Sequence, residues 1–327
     1  MAAPLLEVEK LRVEIPTRQG TLVAVDDISF SIEEGEVLGV VGESGAGKSM
    51  TGNAIVGLLE PPCRITGGAV HLEGRRIDNL LQEPLRRVRG KKIGVVFQDP
   101  LTSLNPLYTI GRQLIETIIT HTELTGSQAR RRAIEILTEV GMPAAEERID
   151  SYPQVFSGGM RQRVVIALAL CANPRLVIAD EPTTALDVSI QAQIIALLKR
   201  LCREYGTAVM LITHDMGVIA ETALRVAVMY AGRIVEVGPV QDVIRNAKHP
   251  YTAGLMASIP QIGRDVENLD QIEGAMPRLH EIPTGCAFHP RCPRAFTGCE
   301  LERPEMLPTQ GSNEAACWLY DIGRFNA

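Results

Sequence analysis

Apolar residues along this chain of 327 residues follow two spacings, and each predicts its own kind of element. Near the N-terminus they alternate with polar ones. Leu11, Val13 and Ile15 are separated by Arg12 and Glu14, Arg18-Gln19-Gly20 supplies a turn, and residues 22–32 carry the next apolar stretch. A period of two predicts half-buried strands. Residues 5–34 are therefore expected as a mostly antiparallel β layer, with a further short hairpin element over 67–74. Four short runs are almost wholly apolar, at 36–41, 93–97, 176–181 and 208–212. These predict buried strands. Helical spacing falls between them, at 50–59, from 110 to about 142 (Leu114, Ile118, Ile134, Leu137, Val140), at 164–170 and at 189–201. Strands alternating with helices imply an α/β fold.

The first buried strand runs into Gly42-Glu43-Ser44-Gly45-Ala46-Gly47-Lys48-Ser49, which fits G-x-x-x-x-G-K-[ST], the Walker A phosphate loop. Its glycines let backbone N–H groups turn inward around a polyphosphate, and the following helix adds its positive end. Lys48 is expected to reach the β- and γ-phosphates, and the Ser49 hydroxyl to ligate Mg²⁺. Gly42, Ser44, Gly45, Ala46, Gly47 and Met50 complete the expected nucleotide contacts. A Gly-rich turn capping an ordinary helix is the alternative, and the flanking strand and helix argue against it. The chain is expected to bind a nucleoside triphosphate.

Charge and apolar run length narrow the class. The net charge of −6 argues against a nucleic-acid footprint. The apolar run at 164–174 falls well short of the 18 or so residues needed to span a bilayer. The first residues lack a basic region and a long apolar core, so no signal peptide is expected and the protein is expected to stay in the cytosol. Seven cysteines there are expected to be reduced rather than paired.

Further along, chemistry-bearing residues recur at element ends. Gln98 closes one strand and can hold Mg²⁺ or the attacking water. Ser157-Gly158-Gly159 can cap a helix and leave N–H groups open to an anion. Asp180 and Glu181 end a buried strand in the Walker B pattern, Asp180 toward Mg²⁺ and Glu181 toward the attacking water. Thr184 to Asp187 follow, and His214 ends the next strand. Taken singly, each is as well explained as a surface or capping residue. Their order and spacing resemble those of ATP-binding-cassette (ABC) ATPases over about residues 5–245. The resemblance implies a P-loop core with an antiparallel β subdomain and a helical subdomain at about 99–170. It makes Gln98 the Q-loop, residues 156–160 the signature, 184–187 the D-loop with Asp187, and His214 the switch histidine. Phe156 and Met160 depart from the usual Leu-Ser-Gly-Gly-Gln ends. Residues 11–21 also hold no aromatic to stack on adenine, which leaves Ile15 or Arg18 for that role. The mechanism implied is a sandwich, in which the signature of a second cassette covers ATP held by the first.

The chain continues past the cassette, which is expected over 1–245, into a C-terminal domain at 246–327. Here His249-Pro250-Tyr251 is followed by Cys286, Cys292, Cys299 and Cys317. This tail resembles that of the ATPase subunits of dipeptide and oligopeptide importers, with nickel importers as close relatives. Gaps of five, six and seventeen residues match neither common zinc spacing nor ferredoxin spacing, so spacing leaves a metal centre and free thiols both open. The resemblance implies a [4Fe–4S] cluster on the four cysteines, with His289 the residue that would favour zinc. The partners implied are two membrane permease subunits, a second ABC ATPase that is a paralogue, and a secreted peptide-binding protein. The chain would then sit peripherally on the cytoplasmic face of the membrane. A soluble ABC ATPase acting on DNA or ribosomes is the alternative of another class. Such chains carry paired cassettes or long coiled coils, and this one has a single Walker A and an acidic balance.

Overall fold

The computed structural model describes residues 3–183, 188–258, 272–309 and 311–321, with the side chains of 188, 189 and 201 left aside. The expected D-loop, including Asp187, lies outside the described residues. In chain order the strands are β1 (Leu6–Thr17), β2 (Gly20–Ile32), β3 (Val37–Val41), β4 (Arg64–Leu72), β5 (Arg75–Arg76), β6 (Ile93–Val96), β7 (Leu176–Asp180), β8 (Ala208–Ile212), β9 (Arg225–Tyr230), β10 (Arg233–Pro239), β11 (Leu307–Pro308) and β12 (Glu314–Ala315). They belong to two compact units that do not follow chain order. One comprises residues 1–6, 32–37 and 72–212, the other 7–31, 38–71 and 213–327.

The first unit is built on β6, β7 and β8. These are parallel, with Val95 opposite Ile178 and Ile178 opposite Met210. Almost all their residues are buried, which is why the sequence reads as continuous apolar runs rather than alternation. The helical stretch at 110–142 is two helices, Ile110–His121 and Gly126–Glu139, not one. The break has a local cause. Thr125 caps the second helix in a capping box with Gln128, and Thr109 caps the first by accepting from Arg112 N–H. The helix Gly158–Leu170 packs in the same unit, capped by Ser157.

The second unit contains two sheets. One runs β2, β1, β4; the other runs β11, β12, β10, β9, β3, with β9 parallel to β3 and the remainder antiparallel. The alternating β1 buries Leu6, Val8, Leu11 and Val13 and leaves their neighbours outward. β12 pairs with β10 through Glu236 opposite Ala315, so chain beyond residue 300 completes a sheet edge begun at residue 37. Arg303 also donates to the Asp26 carbonyl at 2.9 Å and reaches its carboxylate, which Arg12 and Arg233 share. The tail therefore packs as part of this unit.

Candidate active site

The phosphate loop lies between β3 and the helix Lys48–Ile55, two residues earlier at its start than periodicity suggests. Two glycines are needed for steric reasons. Gly42 has φ 150° and a Cβ there would collide with the Met229 carbonyl. Gly47 has φ 100°, and a Cβ would lie 2.9 Å from the Ala24 carbonyl oxygen. Lys48 is buried, and its ammonium folds back over the loop to donate to the carbonyls of Gly42 at 2.7 Å and Glu43 at 3.0 Å. Ser49 is exposed on the first turn, its hydroxyl open to a ligand, while Thr51 is buried and donates to the Gly47 carbonyl at 2.9 Å. In the same unit Thr213 N–H donates to the Val40 carbonyl at 3.2 Å, which sets His214 just past the end of β3. Asp215 then caps the helix Met216–Thr222 by accepting from Gly217 and Val218 N–H.

The other unit carries the acids. β7 ends at Asp180, and Glu181 turns sharply away with φ 47°, a left-handed conformation costly for a residue with a side chain. Its N–H is held by the Ile212 carbonyl at 2.8 Å. That turn presents the Glu181 carboxylate to Gln98, whose amide donates to it at 3.0 Å. The structure thus brings together two residues separated by 83 positions that the sequence could nominate only singly. Ser157 accepts from Met160 N–H, so it caps its helix as expected. Both departures in the signature have packing reasons. Phe156 is buried in the core, and the Met160 sulfur lies 3.4 Å from Arg148 Nη1.

The tail supplies contacts that periodicity and motif did not reveal. Glu236 is wholly buried on β10, and its carboxylate accepts from the N–H groups of Lys248 and His249 and from Asn313 Nδ2. Burial pushes its pKa up, against the pull of those donors. His249 is buried too, and loss of water drives it down to about 3, so it stays neutral. Its Nδ1 accepts from Tyr251 N–H at 3.1 Å and caps the helix Pro250–Ala257, with Pro250 in the first turn where no N–H is needed. Tyr251 packs against Tyr230 and Phe288, and its hydroxyl accepts the Glu43 N–H of the phosphate loop at 2.9 Å. An acid inside the apolar stretch 234–237 and a histidine just before a proline were the legible hints.

Cys286, Cys292, Cys299 and Cys317 line one small cavity of about 10 Å³, with His289 beside them. Burial pushes Cys286 up to about 11 and Cys317 up to about 12, and neighbouring sulfurs add to both shifts. Among the described residues, the cysteines do not form a group of three or more ligand atoms within 4.8 Å of one another; Glu7, Glu9 and His71 do. A single tetrahedral zinc with Zn–S bonds of about 2.3 Å needs sulfurs about 3.8 Å apart. The cysteine arrangement is therefore too open for such a site, and its cavity holds about one water's volume. Among the described residues, no helix is long and apolar enough to cross a membrane.

A phosphate loop after a buried strand in one unit, and an acid paired with a glutamine at strand ends in the other, are the parts of an ATPase of the ABC type. The ABC transporter family matches residues 25–184, and the C-terminal region of oligopeptide/dipeptide transporters matches residues 235–299. The oligopeptide transport ATP-binding protein AppD of Bacillus subtilis is 44% identical over 97% of both chains. OppD of Escherichia coli, an oligopeptide transport ATP-binding protein, is 47% identical over 93% of this chain and 90% of its own. The dipeptide transport ATP-binding protein DppD of Escherichia coli is 43% identical over 98% of both. A dimeric ATP-binding cassette solved in a post-hydrolysis state with ADP and Pi aligns at TM-score 0.66 and 30% identity, over 72% of this chain and 98% of that one. The chain belongs to the ABC transporter ATPases, in the branch that carries the oligopeptide/dipeptide transporter C-terminal region.

Proposed function

We propose that this chain is the ATP-hydrolysing subunit of an importer that carries di- or oligopeptides across the cell membrane. The observation that carries the cargo reading is the tail. Glu236, His249 and Tyr251 build a buried polar join between β10, the helix Pro250–Ala257 and the phosphate loop, within the stretch matched by the oligopeptide/dipeptide transporter region. The names of the similar proteins support the same cargo. The chain would work from the cytoplasmic face, peripherally, with two membrane permease subunits, a paralogous second cassette and a secreted peptide-binding protein.

In this reading Lys48 and the loop N–H groups hold the β- and γ-phosphates. Ser49, Gln98 and Asp180 are the residues that would hold Mg²⁺, which would supply positive charge to the phosphate oxygens. Glu181 takes a proton from the attacking water, with Gln98 fixing one of its carboxylate oxygens. His214, just past the end of β8, contacts the γ-phosphate. Ser157, Gly158 and Gly159 present helix N–H groups to ATP held by the partner cassette, and Asp187 is read as the D-loop residue. Hydrolysis yields ADP and inorganic phosphate, release of that phosphate removes the charge that held the pair together, and the opening drives transport.

Cys286, Cys292, Cys299 and Cys317 line one cavity, and four thiols are the donor type a [4Fe–4S] cluster takes. The cavity must expand to take it, and no step of ATP hydrolysis passes through it. Anaerobically purified protein is expected to be brown with about four irons per chain; one zinc, or no metal, would overturn this assignment. For the cargo, vesicles holding the full importer should accumulate a labelled di- or oligopeptide only with ATP inside. ATP-driven uptake of Ni²⁺ without peptide uptake would refute the reading.

A further inference from the structure

The second residue of the phosphate loop is gripped by the tail from two directions. Glu43 donates its backbone N–H to the Tyr251 hydroxyl at 2.9 Å. Its carboxylate accepts from Arg291 Nη1 at 3.1 and 3.2 Å. Arg291 is itself tightly held. Nη1 also reaches the Tyr230 hydroxyl at 3.3 Å, Nε donates to the Glu273 carbonyl at 2.9 Å, and Nη2 to that of Gly274 at 3.2 Å. Its side chain is 8% exposed, that of Glu43 27%. On the loop's other side the Glu43 carbonyl accepts from Lys48 Nζ. A continuous run of hydrogen bonds therefore links Arg291 and Tyr251, through Glu43, to the ammonium that defines the motif. The motif itself leaves position 43 unspecified, so phosphate binding alone does not explain this investment of buried polar groups.

We infer that Arg291 and Tyr251 are positioning residues for ATP binding, holding Glu43 so that the phosphate loop and Lys48 keep a single ordered shape before nucleotide arrives. A nearly buried guanidinium cannot swing away without leaving donors unmet, which is costly. Tyr251 fixes the loop backbone and Arg291 fixes the side chain, so neither contact substitutes for the other. Loosening the grip makes ATP order the loop at its own expense, and that cost falls on affinity. The water-activating acid, Glu181, is not part of this network, so turnover of bound ATP is expected to change much less. The inference rests on the reading of Lys48 as a phosphate ligand.

Equilibrium Mg-ATP binding, KM and kcat of the full chain test it, with Arg291→Ala, Glu43→Ala, their double variant, Arg291→Lys, Tyr251→Phe and Lys48→Ala. Arg291→Ala and Glu43→Ala should each weaken ATP binding about tenfold, with kcat within about twofold. The double variant should be no worse than either single one, because both remove the same interaction. Arg291→Lys should recover part of the loss, and Tyr251→Phe should weaken binding on its own. Glu43→Ala removes no tail residue and carries the test if Arg291→Ala fails to fold. Wild-type affinity in Glu43→Ala and Tyr251→Phe, or losses that simply add in the double variant, would overturn the inference. Normal ATP binding by Lys48→Ala would instead overturn the phosphate-site reading beneath it.

Discussion

The phosphate loop and the tail stabilise themselves by opposite means, although they meet at Glu43. The loop is local. Eight consecutive residues, three glycines at positive φ and one lysine folded over the loop's carbonyls make the shape, and the residue types it needs can be read within that window. The tail is dispersed. Glu236, His249, Tyr251, Arg291 and Asn313 satisfy one another and the loop across separations of up to 248 positions. A local device tolerates change elsewhere in the chain. A dispersed buried network fails as a whole when one member goes, since its remaining polar groups are left without water or partner. Motif variants should therefore change chemistry on an intact fold, and tail variants should change stability first.

The largest effect separates these two behaviours. Glu181→Gln should bind Mg-ATP normally yet hydrolyse it at least ~100-fold more slowly, with an unchanged melting curve. Single-turnover kinetics and calorimetry check both halves, and wild-type turnover would mean another group activates the water. Next comes Glu236→Ala, which strands two N–H groups and Asn313 Nδ2 in the interior. A loss of about 2–4 kcal/mol is expected in denaturant melts. A loss below ~0.5 kcal/mol would erase the contrast between the two regions.

A pH experiment sharpens it further. His249 is held neutral by burial, with its pKa lowered from 6.5 to about 3. Below pH 6.5 the unfolded chain binds a proton that the native state refuses. The stability tied to this group is complete above 6.5 and is lost as pH falls toward 3, at up to about 1.4 kcal/mol per unit. His249→Asn, which keeps a capping oxygen, should be less stable throughout but should flatten that slope. An unchanged slope would show that His249 is not the group responsible. The smallest effect belongs to the surface. Arg130 and Asp150 pair at 2.7 Å while largely exposed, so Arg130→Ala should cost only a few tenths of a kcal/mol. A loss of more than ~1 kcal/mol there would mean that surface pairs rival the tail network.

The signature region holds an intermediate lesson. Ser157→Arg in this chain should block hydrolysis at a partner cassette's Walker A while sparing its own, measured in mixed pairs with one intact site. Ser157 was legible because a cap is local; its action on another chain's ATP rests on the sandwich reading.

Much of this protein was determined by short windows of sequence. Alternation in β1, continuous apolar runs in β6, β7 and β8, and the glycine spacing of the phosphate loop all follow from backbone geometry that a few neighbouring residues impose. Gln98, Glu181 and His214 were nameable because each ends a strand, but that Gln98 meets Glu181 came only from strand pairing. The division of the helical stretch at 121–126 lay within reach, since Thr125 and Gln128 spell a capping box. Tertiary structure alone decided the rest. A glutamate in an apolar strand, a histidine before a proline and an arginine beside a cysteine look unrelated in sequence. Burial makes them partners, because a polar group removed from water must find its counterpart wherever the fold delivers one.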